Sequence, residues 1–267
     1  MTTRERFKTK LVAGAVCSAL IALAASRGNV SAQSDNGCSG LPSQADLKSA
    51  LAGARGVANG GFNLDMWGSI VNRDGIVCAV AFTGADRGSQ WPGSRVISAQ
   101  KANTANSFSL PNLALSTANL WAAVQPGGSL FGLQESNPVA TDAAYQGPSN
   151  KFGTQSDPLV GQKIGGINVF GGGLALYNAS HTLVGGIGVS GDTSCADHNI
   201  AWRTRNTLNL DFVPGGVGPV AGRADNINYQ GLVAVPSLAN DFSHPICKIA
   251  GVDGVSGISA ALPVTQP

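Results

Sequence analysis

The sequence predicts an α/β fold built on an antiparallel sheet, and three observations carry that expectation. Residues 66–71 and 76–82 are apolar runs of strand length joined by Asn72-Arg73-Asp74-Gly75, a strong hairpin signal. Residues 174–177 and 183–187 form a second such pair across Asn178-Ala179-Ser180-His181, all turn-favouring types. Segments of helical period stand before, between and after the two pairs. Hairpins rather than crossovers join the strands, so the sheet is antiparallel.

The chain opens on an export signal. Arg4, Arg6, Lys8 and Lys10 form a basic start, residues 11–25 an apolar run, and Val30-Ser31-Ala32 a small-residue cleavage site. The apolar run is short for a membrane span, and Cys17 after Gly14-Ala15-Val16 makes a poor lipoprotein signal. Cleavage near Ala32 and periplasmic or secreted residence in a bacterium are expected, with no integral membrane segment afterwards. Of 17 basic residues, five (Arg4, Arg6, Lys8, Lys10, Arg27) fall in 1–32, against one (Glu5) of 15 acidic residues. The remainder has 12 basic and 14 acidic residues, a net charge of −2. That balance argues against a nucleic-acid partner.

Thirty-six glycines with 12% charged residues point to a turn-rich, sheet-rich protein rather than a disordered one. Cys38, Cys78, Cys195 and Cys247 remain after cleavage. An even number in an exported chain favours two disulfides over a metal site, because no C-x2-C pair exists. Three pairings are open, of which Cys38–Cys78 with Cys195–Cys247 is the expected one.

Taken in order, residues 33–40 are a polar leader and 41–58 the first helix, with Ser43 a cap before Asp46 and Asn59-Gly60-Gly61 as its stop. The first hairpin follows, then a polar loop over 84–93 and a helix over 95–108. Ala99, Ala102 and Ala105 let that helix lie close against a sheet. Prolines punctuate 110–162; within it 113–124 has helical character and 125–158 reads as a surface excursion. The second strand pair leads through a glycine-rich corner, 185–191, into a last helix with Ala196, Ile200, Ala201 and Leu208 on one face. Asp192, Thr193 and Ser194 are its cap candidates. The proline-rich remainder, 207–267, reads as an extension held down through Cys247.

The order of several of these motifs resembles one family. The Asp74-Gly75 hairpin is followed by Ser98-Ala99-Gln100-Lys101-Ala102-Asn103-Thr104-Ala105. Gly171-Gly172-Gly173-Leu174, Gly185-Gly186-Ile187-Gly188-Val189-Ser190-Gly191 and Asp197 come after. Over residues 41–206 the chain is similar to the GlcG/HbpS-like domain family. The resemblance implies a profilin-like α/β fold, a homo-oligomer, and a small-molecule ligand with haem as first candidate cofactor. The irregular insertion at about 110–165, the extension and the four cysteines depart from the family pattern.

Each motif has a functional and a plain reading. Gly186-x-Gly188-x-x-Gly191, with Asp211 beyond it, matches a dinucleotide fingerprint, but Asp192 would repel the phosphate and too little chain follows for a doubly wound sheet. Close helix–strand packing and a sharp corner account for the glycines. Ser190 fails G-x-S-x-G at its last position, because Asp192 stands there. By donor chemistry His181, His198 and His244 are the haem-ligand candidates, and His198, beside Asp197, is favoured. Lys101 could meet a propionate or another anion. The candidate ligand-binding set is thus Lys101, Gly188, Ser190, Gly191 and Asp197, with His198 toward iron. The Asn178-Ala179-Ser180 sequon carries no weight in a bacterial chain.

No acid–base or nucleophile–base spacing stands out, which favours a binding protein over an enzyme. The expected function is an exported ligand-binding protein, haem or a related tetrapyrrole first. The alternatives are an enzyme acting on a small anionic metabolite near Lys101 and a structural envelope protein without ligand.

Overall fold

A computed structural model describes residues 37–218, 220–230, 241–247, 258 and 261–267. The expected signal segment and its cleavage site lie outside the described residues, as do Pro219 and Pro236.

Four strands, β1 (Trp67–Asn72), β2 (Val77–Phe82), β3 (Gly173–Tyr177) and β4 (Leu183–Ser190), form one antiparallel sheet in the order β2-β1-β4-β3. Helix α2 (Ser94–Phe108) covers one face, and α1 (Gln44–Arg55) with α4 (Ser194–Thr207) the other. The strand period sorts the side chains. Ile70, Ala79, Leu174, Leu176, Ile187 and Val189 meet Leu47, Leu51, Ile200 and Trp202 of α1 and α4. Trp67, Val71, Val77 and Val80 meet Val96, Ala99 and Ala102 of α2. With both faces covered, β1 is buried along its whole length.

The helix starts follow the capping chemistry. Ser43 and Asp46 close a capping box on α1, which ends sooner than 58 because the Asn59 side-chain amide binds the Ala54 and Val57 carbonyls. Thr193 caps α4, whereas Asp192 accepts from the backbone of Phe62 and Leu64 in the segment before β1. The glycine corner is mostly strand: β4 runs three residues past 187, paired with β1 throughout and with β3 as far as Gly188, and only Gly191 stands at the turn. A methyl added at Gly186 or Gly188 would overlap the carbonyl oxygens of Ala102 and Ser98, so α2 rests backbone to backbone on β4.

Two expectations for the insertion need correcting. Residues 113–124 contain two short 3-10 turns, Thr117–Leu120 and Ala122–Val124, because a Ser116–Asn119 box starts one tight turn and Pro126 and Gly127 follow the other. The 125–158 stretch is no mere surface excursion. A short helix α3 (Thr141–Ala144) brings buried Ala144 to Leu159 and Ile164 in the α2-side core. Buried Arg95 of α2 pairs with buried Asp157 and donates to the Ala144 carbonyl at 3.2 Å.

The extension packs on the same unit. Arg205 of α4 reaches Asp225 at 2.5 and 2.9 Å, both fully buried, and the Trp202 indole donates to the Pro263 carbonyl. Disulfides Cys38–Cys78 and Cys195–Cys247 form, the expected pairing, with Cα separations of 5.5 and 6.2 Å. Among the described residues no helix is long and apolar enough to cross a membrane.

Candidate functional site

The family-like residues converge where α2 and α4 meet at the end of β3 and β4. The chain enters β3 through Gly171, Gly172 and Gly173, each crowded by neighbouring backbone. A methyl on them would overlap, in turn, the Ser194 carbonyl, the Val189 carbonyl, and the Thr117 side chain with the Lys101 carbonyl. Gly172 has φ +114°, which a side chain would strain. This narrow entry sets the spacing between Lys101 on α2 and the first turns of α4.

Lys101 Nζ donates to Asp197 Oδ2 at 2.7 Å and to the Val189 carbonyl at 3.0 Å. Asp197 Oδ1 accepts from the Asp192 amide at 2.8 Å. Both partners are buried. Burial pushes the Lys101 ammonium below its usual range, and it pushes Asp197 up to about 6 against the pull of Lys101. Lys101 is therefore neither a solvated lysine nor a free cation for an incoming anion. Its charge is spent on Asp197.

The next residue, His198, is fully buried, its ring 5.9 Å from that of Trp202. Its Nε2 lies 3.1 Å from Asn226 Oδ1, an oxygen that also accepts from the Ile227 amide at 2.8 Å. An oxygen so placed only accepts, so Nε2 carries the proton and Nδ1 is a bare lone pair. Among the described residues Nδ1 has no hydrogen-bond partner. Burial, then the charge of Arg205, lowers this histidine to about 3, which keeps the ring neutral.

Of the remaining candidates, Gly188 lies directly beside Lys101, where an added methyl would stand 3.0 Å from Lys101 Cβ. It lies under α2, and Ser190 Oγ sits 3.3 Å from Ser94 Oγ. Gly191 abuts the backbone at Asp65 and Met66. Gly186 and Gly188 of the dinucleotide fingerprint are thus strand interior, with only Gly191 past the strand's end. His181 is exposed in the β3–β4 turn with Nδ1 3.1 Å from the Phe212 carbonyl. His244 is buried against the start of α4, its Nε2 2.7 Å from Ser194 Oγ. A cavity of about 430 Å³ lies elsewhere, bordered by Leu41, Asn72, Arg73, Asn178 and Leu183 and by none of the candidates. Ser194, Arg205, Asp225 and Asn226 were not legible as site residues, since only the fold brings them beside His198 and His244.

The model of the haem degrading protein HbpS-like family matches residues 43–205. No curated protein matches the chain. Among solved structures, a Klebsiella pneumoniae protein, ORFY, is similar at 24% identity and a TM-score of 0.41, over 62% of this chain and 90% of that one. The haem complex of PduOC is similar at 22% identity and 0.43, over 62% and 93%. HbpS is similar at 17% identity and 0.39, over 62% and 86%.

Proposed function

Because the chain belongs to the HbpS-like haem-degrading protein family, we propose that it binds haem or a related tetrapyrrole, with His198 toward the iron. The observation that carries the assignment is the His198 ring itself. A histidine ligand typically donates its second ring N–H to a fixed oxygen, which sets the tautomer and turns the other nitrogen outward. His198 has that arrangement ready, with Nε2–H on Asn226 and Nδ1 bare. The donor fits; the space does not stand open, since the ring has no exposed surface. For a macrocycle to reach Nδ1, the packing on that side of the ring would have to open while the Nε2–Asn226 hydrogen bond is kept. Haem would supply a redox-active iron, and the chain's part would be to hold it through His198. Export through residues 1–32 belongs to the same reading, and two disulfides are compatible with an oxidising compartment.

The test is a visible-spectrum hemin titration of the oxidised chain, wild type beside His198→Ala. A saturable, stoichiometric Soret band lost in the variant supports both haem and its ligand. A band that survives overturns His198 and sends the search to His181 or His244. No saturable band overturns haem binding altogether.

A further inference from the structure

The start of α4 carries a second constellation, which the haem reading leaves unused. Ser194 is the first residue of α4 and partly exposed, and His244 comes from the extension. Ser194 Oγ and His244 Nε2 are 2.7 Å apart, and His244 Nδ1 is 2.7 Å from the Pro245 carbonyl oxygen. A carbonyl oxygen only accepts, so Nδ1 carries the ring proton and Nε2 is bare. The serine hydroxyl therefore donates to the imidazole. A nucleophile, its base, and a third group that fixes the base's tautomer are thus in register. The Cys195–Cys247 disulfide joins the residue after Ser194 to the residue three beyond His244, so the pair is pinned covalently. Burial lowers His244 to about 4, with the Pro245 bond opposing and the Lys101 charge adding, so the imidazole is neutral at neutral pH.

We propose that Ser194 and His244 form a nucleophile–base dyad that cleaves small carboxylic esters by acyl transfer. Ser194 Oγ attacks the ester carbonyl carbon while its proton passes to His244 Nε2. The bond from that carbon to the alcohol oxygen then breaks, and the alcohol leaves with the proton. Water, deprotonated by the same nitrogen, attacks the acyl-serine, releasing the acid and restoring the hydroxyl. The Pro245 carbonyl takes the orienting part that a carboxylate plays in a triad. The carbonyl oxygen's developing charge is met by the amide of the residue after the nucleophile, Cys195, since the Ala196 and Asp197 amides are held by Thr193. Phe170, 48% exposed, precedes Gly171, whose amide donates to Ser194 Oγ at 3.4 Å. The Trp121 ring stands 6.2 Å from that of His244. This apolar surround suits aryl or short-chain acyl esters.

The test treats the oxidised full chain with a fluorophosphonate and with p-nitrophenyl butyrate at pH 7. One equivalent of label on Ser194, located by peptide mass, is expected. Ser194→Ala, its fold checked by thermal melt, should take no label. His244→Gln should slow both labelling and hydrolysis about 100-fold. Absence of label on Ser194 in the folded chain overturns the dyad, as does full-rate labelling in His244→Gln. Should that variant not fold, wild type unfolded in urea and reduced decides: loss of the Ser194 label on unfolding supports activation by the assembled dyad, and equal labelling of the unfolded chain overturns it.

Discussion

Lys101 Nζ and Asp197 Oδ2 lie 2.7 Å apart, with 1% and 3% of their side-chain surfaces exposed. One comes from α2 and the other from α4, helices on opposite faces of the sheet, so the pair closes the sheet's end like a clasp. The Val189 carbonyl and the Asp192 amide satisfy further valences of the two ions, which is the condition under which a buried pair is tolerated. Lys101, the residue that suggested an anion site, is thus committed to Asp197.

Breaking the clasp from one side should be costly. Lys101→Met leaves Asp197 buried without its counter-ion and should lower unfolding free energy by about 3–5 kcal/mol. Lys101→Met with Asp197→Leu removes both charges and should recover most of that loss. Urea unfolding of the single and double variants at pH 7 checks this. Equal losses in both would mean that the geometry of α2 against α4, rather than an uncompensated charge, sets the cost.

The glycines of β4 and α1 should respond oppositely to alanine. Gly188→Ala drives a methyl into the Ser98 carbonyl of α2, a backbone atom with no rotamer to yield, and should cost about 3 kcal/mol or more. Gly53 is exposed within α1 and has nothing within 4 Å of an added methyl, so Gly53→Ala should stabilise by about 1 kcal/mol. Thermal melts of the two variants beside wild type read both signs. A folded Gly188→Ala of unchanged stability would show that α2 does not rest on β4.

The fold was legible because its signals are local. The Asp74-Gly75 hairpin, the Ser43 cap, the cap candidates Asp192 to Ser194 and the apolar runs of β1 to β4 each sit within a few residues, and each formed within a few residues of its expected place. The insertion was misjudged for the converse reason. Arg95 and Asp157 stand 62 residues apart, and no local pattern announces that an excursion will be bolted into a core. The site divides the same way. His198 stood out by residue type, whereas its partner Asn226 lies 28 residues downstream and Ser194 meets His244 across 50. Lys101 shows the hazard of composition: a lysine in a polar-looking helix read as solvated or anion-binding until Asp197, 96 residues on, was seen beside it.

Three buried groups fix how stability should depend on pH. His198 is lowered to about 3 and His244 to about 4, both chiefly by burial, against an unfolded value near 6.5. Above pH 6.5 neither is protonated in either state, and their contribution is complete. As pH falls below 6.5 the unfolded chain takes up protons that the folded chain refuses, and each histidine then costs about 1.4 kcal/mol per pH unit. Asp197 runs the other way. Raised to about 6, it is protonated in the folded chain before the unfolded one near 3.8, so its term grows as pH falls through that window. The net loss between pH 6 and 4 should follow about one proton, roughly 1.4 kcal/mol per unit. Asp197→Asn removes the opposing term and should steepen the slope to about two protons, while His198→Leu should flatten it towards zero. Urea unfolding at pH 7, 6, 5 and 4.5 for the three chains measures these slopes directly. Identical slopes in all three would mean that His198 and Asp197 titrate alike in the folded and unfolded chain, and the closed packing around α4 would then be wrong.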